Sequence, residues 1–344
     1  MKRIIMMAAA LALVSGSAAT TAMAQERKLD VVKSRGSLKC SGHNGSFLGF
    51  AEVDDKGQWK GLDIELCRAL SAGIFGKSEG HLEIVPIDWA QRWPALQSGD
   101  IDVVIKVSGW TQSRDTELNL SFSQPYFVGT FSVMAHKETD AKSLTDLKGG
   151  VVCAQAGSSN ERILASAIKK LNVDAQVITF GKTEELRAAY YDGRCDAILE
   201  WTPSLGIWRA EGPNPQDQVF LSDTLSMEAE SIVVTEADPK WLDVQNWMIS
   251  SLLFAEEQGI TKANIDEFKA KPTSPEIEKF LGVTPGYGKR LGLSDDWAYN
   301  MIKEVGNYAE IYDRTLGKDS AYKLERGKNA LYRDGGVLYP LTID

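Results

Sequence analysis

Short apolar runs alternate with amphipathic helical ones along this chain, and the alternation begins afresh after Leu144. That restart limits the fold more than any other feature. Before it, Ser37–Ser41 and Leu82–Pro86 read as strands, and DVVIKV at Asp102–Val107 reads as a buried one. Leu62, Leu66, Leu70 and Ile74 recur every four residues and predict a helix with one apolar face. Trp89–Ser98 predicts a short helix that Gly99 closes. After the restart, Gly150–Ala154, Gln176–Phe180 and Asp196–Glu200 read as strands. Leu164, Ile168 and Leu171 mark the apolar face of one helix, and Thr183–Tyr191 is another. Strands and helices joined by Gly-marked turns imply an α/β sheet with helices over its faces.

The expected architecture is therefore two-lobed, since 344 residues exceed what one core usually supports. A first lobe takes residues 25–136 and a second takes 137–226. Residues 227–344 return to the first lobe and add a helical C-terminal extension, opened by an amphipathic helix over 240–260. Two extended apolar segments, Gly129–Ala135 and Ala229–Val234, are the expected crossings between lobes.

The N-terminus gives an address. Lys2 and Arg3 precede the apolar run IMMAAALALV at residues 5–14, and Ala22-Met23-Ala24 has the small-x-small pattern of a cleavage site. Residues 1–24 read as a signal peptide whose removal exposes Gln25. No later apolar run is long enough to span a bilayer. Removing Lys2 and Arg3 takes the formal charge from −9 to −11, which argues against nucleic acid or anionic membrane as partners. Four cysteines suit an oxidising compartment. Three pairings are possible, and clustering favours Cys40 with Cys67 and Cys153 with Cys195. Their spacing is wrong for a metal site, and His43, His81 and His136 lack suitable neighbours, so no metal or other cofactor is expected.

Binding groups in such folds sit at strand ends and helix N-termini. Thr111 is placed to cap a helical turn after the 102–107 strand, and Arg114 beyond it offers a planar fork suited to a carboxylate. Gly157-Ser158-Ser159 before a helix is a complementary anion-binding turn, with Ser158 and Ser159 as candidates. An ordinary surface ion pair for Arg114 and an ordinary cap for the serines are the plainer readings. Trp110 and Trp201 follow strands of opposite lobes and are placed to close over an apolar part of a ligand. Glu200, Glu228 and Glu230 are acids without a partnered histidine, and neither Gly-x-Ser-x-Gly nor His-Glu-x-x-His occurs. An enzyme is not indicated.

These residues resemble a family. Lys39-Cys40, Gly57-x-Trp59-x-Gly61-Leu62-Asp63, Ala95-Leu96-Gln97-Ser98-Gly99-Asp100, Trp110-Thr111-x-Ser113-Arg114-Asp115 and Phe122-Ser123-x-Pro125-Tyr126 are similar to periplasmic solute-binding proteins of polar amino acid ABC transporters. Gly193-Arg194-Cys195-Asp196, Val305-Gly306-Asn307-Tyr308 and Gly335-Gly336-Val337-Leu338-Tyr339 point to the general L-amino acid-binding subgroup. The resemblance covers nearly all of the mature chain. It implies the type II periplasmic binding protein fold, a periplasmic monomer that closes on one small carboxylate-bearing solute, and delivery to an inner-membrane ABC permease. Arg114 and Ser159 match positions that hold the α-carboxylate, Trp89 matches an aromatic lining the first-lobe side, and residues 43–47 match a loop that recognises the side chain.

Two departures bear on the cargo. Trp201 stands where the family places an Asp that grips the α-ammonium, with Glu200 beside it as a substitute on the opposite strand face. Lys106-Val107-Ser108-Gly109 stands where the subgroup has Arg-Asn-Thr-Thr. An ordinary amino acid is the first reading. An amine-free organic acid, or a betaine-like zwitterion packed on Trp110 and Trp201, are the alternatives. A dehydratase-like enzyme on the same scaffold, with Glu200 as base, is the reading from another class. Exported protein recovered from a Gram-negative periplasm is expected to begin at Gln25, which N-terminal sequencing checks; a chain still carrying residues 1–24 would contradict it.

Overall fold

The computed structural model describes residues 27–45 and 47–344. The expected signal peptide, residues 1–24, lies outside the described residues. Two long antiparallel strands, Leu120–His136 and Gln218–Thr235, run side by side through the molecule. They contain the two segments expected to cross between lobes. Both lobes are built on this ribbon. The six-stranded sheet places Val104–Gly109 on the outer side of the Gln218–Thr235 strand. On the other side of the ribbon follow Ala197–Trp201, Val151–Gln155 and Gln176–Phe180, the last two parallel.

The first lobe adds a parallel pair, Leu38–Ser41 with Leu82–Val85, tied to the Val104–Gly109 strand through a bridge from Cys40 to Val103. Its central helix, Leu62–Phe75, is where the four-residue periodicity placed it, and Gly76 closes it in the left-handed conformation at φ 88°. The helix is buried almost all round because the C-terminal helix Trp297–Val305 covers the face that the sheet does not. The helix Pro239–Glu257 is started by Asp238, whose side chain accepts from the Trp241 N–H. It buries Trp241, Val244, Met248, Leu252 and Ala255 as one face. The C-terminal helix Trp297–Val305 thus packs on the helix Leu62–Phe75.

Several boundaries differ from the sequence expectation by one to three residues. The short helix begins at Arg92 rather than Trp89, because residues 89–91 form the turn that turns Trp89 into the interior. The strand expected at Asp102–Val107 runs Val104–Gly109, and that expected at Asp196–Glu200 runs Ala197–Trp201. Both shifts carry the strand ends further toward the cleft.

The cysteines pair as clustering suggested, Cys40 with Cys67 and Cys153 with Cys195, one bridge within each lobe. Each ties a strand to a distant segment, and all four are fully buried. Replacing both Cys153 and Cys195 by Ala is expected to lower the free energy of unfolding by about 2–4 kcal/mol, the usual value for opening a loop of this size. Equilibrium unfolding in urea measures it; an unchanged midpoint would show that the bridge adds nothing.

Candidate functional site

The lobes meet over a cavity lined from both sides. The first lobe supplies Phe47, Trp89, Arg92, Val107 and Arg114; the second supplies Ser158, Ser159, Asn160, Glu200 and Trp201; the crossing strands supply Phe131, Glu228 and Glu230. The cavity measures about 30 Å³, room for a few waters at most. A solute therefore enters only when the lobes part.

Each charged group is positioned by its local backbone. Thr111 caps the helix Gln112–Glu117, its Oγ1 accepting from the Arg114 N–H at 3.4 Å. The capped turn directs Arg114 back to the strand end, where Nη1 donates to Gly109 O at 2.8 Å. Its Nη2 donates across the cleft to Ser159 Oγ at 3.2 Å, and that hydroxyl donates to Glu228 Oε2 at 2.7 Å. Ser158 is the N-cap of the helix Ser159–Leu171 and accepts from the Asn160 N–H. Glu228 and Glu230 are two apart on one strand, so they share a face. Glu228 also pairs with Arg162, and a Cβ at Gly109 would lie 2.1 Å from Glu228 Oε2. Val107, a β-branched residue at φ 23°, holds a backbone conformation that such residues avoid. Its N–H donates to Tyr126 Oη at 2.8 Å, and that hydroxyl donates to Asp63.

Trp201 closes the opposite wall. Its indole packs against Phe50 and Phe127, each ring centroid 4.9 Å away. It sits over Gly129, where a Cβ would fall 1.6 Å from Nε1. Glu200, on the other strand face, accepts from the Trp201 N–H at 2.7 Å and from Asn160 Nδ2 at 2.8 Å. Five buried polar atoms of the lining residues make no hydrogen bond within the protein: Arg92 Nε and Nη2, Trp201 Nε1, Asn160 Oδ1 and Glu230 Oε2. Three are donors and two are acceptors.

Of the residues singled out from sequence, Arg114, Ser158, Ser159, Trp89, Trp201 and Glu200 come together at this cavity. Trp110 does not. It is 49% exposed and stacks on Phe122 outside the lining. Thr111 acts as a cap and is also outside it. Sequence reasoning passed over Arg92, which is fully buried between the rings of Trp89 and Trp93. A charge on an otherwise apolar helix face was the available signal. It also weighed Glu228 and Glu230 only as enzymatic acids, although their spacing of two in an apolar crossing segment marks a shared polar face. Among the described residues no group of three or more His, Cys, Asp or Glu is arranged to hold a metal ion.

Two lobes closing through paired crossing strands on a small, doubly charged cavity define a solute-binding protein that captures by closure. Residues 41–318 match the bacterial extracellular solute-binding proteins, family 3, and the chain belongs to that family. It is 37% identical over 334 residues to the general L-amino acid-binding periplasmic protein AapJ of Rhizobium johnstonii, covering 96% of this chain and 95% of that one. It is 34% identical over 311 residues to the putative amino-acid ABC transporter-binding protein YhdW of Escherichia coli K12, covering 90% and 91%. A periplasmic binding protein of an ABC transporter from Brucella ovis, solved with glutathione bound, superposes with a TM-score of 0.87 at 38% identity over 92% of this chain and 99% of that one. The protein is periplasmic and belongs to a non-catalytic binding family. Both oxygens of Glu200, the base in the dehydratase alternative, accept hydrogen bonds within the protein.

Burial pushes the Glu200 carboxyl up to about 7. Burial, and then the neighbouring Glu228 charge, push Glu230 up to about 8. Burial raises Asp63 to about 7. In all three the folded state holds a proton that the unfolded chain has released above about pH 4.5, so their contribution to stability is lost as pH rises toward 8. His43 has the opposite sign: burial holds it down at about 2, which weakens the fold only below the unfolded histidine value of about 6.5. Lys106 has the same sign as His43, because burial holds its amine well below the usual lysine value, so the Glu230 share is read by difference: between pH 6.5 and 8, Glu230→Gln is expected to lose less stability than wild type as pH rises. Urea midpoints of both proteins across the range measure it; parallel profiles would contradict it.

Proposed function

We propose that the solute is an α-amino acid, held by its carboxylate on Arg114 and Arg92 and by its ammonium on Glu228 and Glu230. The protein is the binding subunit of an ABC amino-acid importer and hands a small carboxylate-bearing solute to the inner-membrane permease. The observation that carries the finer reading is the mixture of unpartnered groups in one cavity. Arg92 and Trp201 present donors, while Glu230 presents a bare carboxylate oxygen. A zwitterion satisfies both kinds at once, and a buried polar atom left unmatched costs about 1–3 kcal/mol. An amine-free acid would set its charge beside Glu228 and would bind only while Glu230 keeps its proton, so its affinity would fall as pH rises toward 8. The crossing strand thus supplies the anionic grip that Trp201, in place of the family's Asp, does not. Trp201, Phe47 and Phe131 form an aromatic wall for the rest of the solute.

A second reading has one observation in its favour, the glutathione bound by the Brucella ovis relative. The γ-glutamyl end of that tripeptide carries the same free α-carboxylate and α-ammonium, so the head-group contacts are shared and only the space beyond the aromatic wall distinguishes the two.

Calorimetry with L-glutamine, L-glutamate, glutathione, succinate and 2-oxoglutarate separates these readings. Binding at 1:1 is expected for the amine-bearing solutes, with Arg114→Ala weakening it about 100-fold, the consequence of removing one partner of a buried charged contact. An ammonium favours ionised Glu230, so solute uptake at pH 7 releases protons and affinity rises from pH 6 to 8. Titrations in buffers of different ionisation enthalpy read that release. Equal affinity for succinate, or proton uptake on binding, would overturn the amino acid reading.

A further inference from the structure

Lys106 is fully buried in the first lobe and does not line the solute cavity. An amine is buried at low cost only when its hydrogens are met, and here three acceptors surround it. Nζ donates to Gly42 O at 3.2 Å, is hydrogen-bonded to His43 Nδ1, and lies 4.6 Å from the centroid of the Trp89 ring. With Lys106 as the donor to Nδ1, the ring's own proton belongs on Nε2. Burial keeps this imidazole neutral.

The Nε2 edge faces the other lobe. It lies 3.3 Å from Oγ1 of Thr183, the first residue of the second-lobe helix Thr183–Tyr191. Trp89 Nε1 donates to the same oxygen at 3.4 Å. Thr183 in turn donates to Gln155 Oε1 at 3.2 Å, and Gln155 Nε2 donates to Phe180 O at 2.8 Å. In that tautomer the threonine hydroxyl is saturated, with two first-lobe N–H groups on its lone pairs and its hydrogen spent within its own lobe. The backbones also approach closely at one point nearby, a Cβ at Gly157 falling 3.2 Å from Ala90 Cβ.

We propose that His43, Trp89 and Thr183 form a latch holding the lobes shut, and that Lys106 is the positioning residue that fixes His43 with its proton facing across the cleft. The latch joins lobe to lobe directly, so it favours closure whatever the solute and is independent of the amino acid assignment. It also gives a use to Lys106, which departs from the subgroup's pattern.

The test needs no solute. Small-angle X-ray scattering of the ligand-free protein is expected to give a larger radius of gyration for Thr183→Val than for wild type, and Thr183→Ser is expected to return it to the wild-type value. His43→Phe keeps a ring in place and is expected to open the protein equally, the double variant no further than either single one. Superimposable scattering from wild type and Thr183→Val overturns the latch. Histidine ¹⁵N spectra test the lysine's part, and with only three histidines in the chain the assignment is direct. Wild-type His43 is expected as the neutral Nε2–H tautomer, and Lys106→Met to lose that preference. A wild-type Nδ1–H tautomer overturns the positioning role.

Discussion

The antiparallel pairing of Leu120–His136 with Gln218–Thr235 is the interaction on which the rest depends. Every other strand of the large sheet is attached to this ribbon on one side or the other. Because the ribbon passes through both lobes, its hydrogen bonds tie them to one register. The ladder is irregular in two places, between Phe220 and Ser226 and between Glu230 and Val233, and such irregularities bend a strand locally. The ribbon also carries Glu228 and Glu230 into the cavity, so the strand that joins the lobes is also part of the site.

The charges in the cavity are arranged as two poles. Arginines from the first lobe face glutamates from the ribbon, and Ser159 bridges them from the second lobe. Neither pole is satisfied by the other alone, because hydrogen-bonding capacity is left on both sides. Such a site discriminates by what it leaves unpaired more than by what it attracts. The aromatic wall of Phe47, Phe131 and Trp201 adds apolar area and keeps water from screening the poles.

Much of the fold was legible because it is local. The four-residue spacing from Leu62 to Ile74, the Gly-marked turns and the restart after Leu144 all lie within short windows, and the disulfide pairing followed from clustering. What was not legible depends on contacts between distant segments. The Val104–Gly109 strand joins the large sheet through the second crossing strand, a pairing that no local pattern encodes. Trp110 and Trp89 occupy similar positions after strands, yet one stacks on Phe122 outside the cavity and the other turns inward. That difference comes from the turn at residues 89–91. Arg92 was missed because a guanidinium buried between two indoles reads in sequence as one more surface charge.

Trp201 pairs with Phe131 on the neighbouring strand and lays its indole over Gly129, in the volume where any side chain at 129 would stand. The two positions are therefore coupled through packing. A side chain gained at 129 would expel the tryptophan, and an aspartate restored at 201 would leave a hollow beside Phe50 and Phe127. Either exchange alone thus spoils the packing of this wall, so the shape of the cleft here is set by an indole and a missing side chain together.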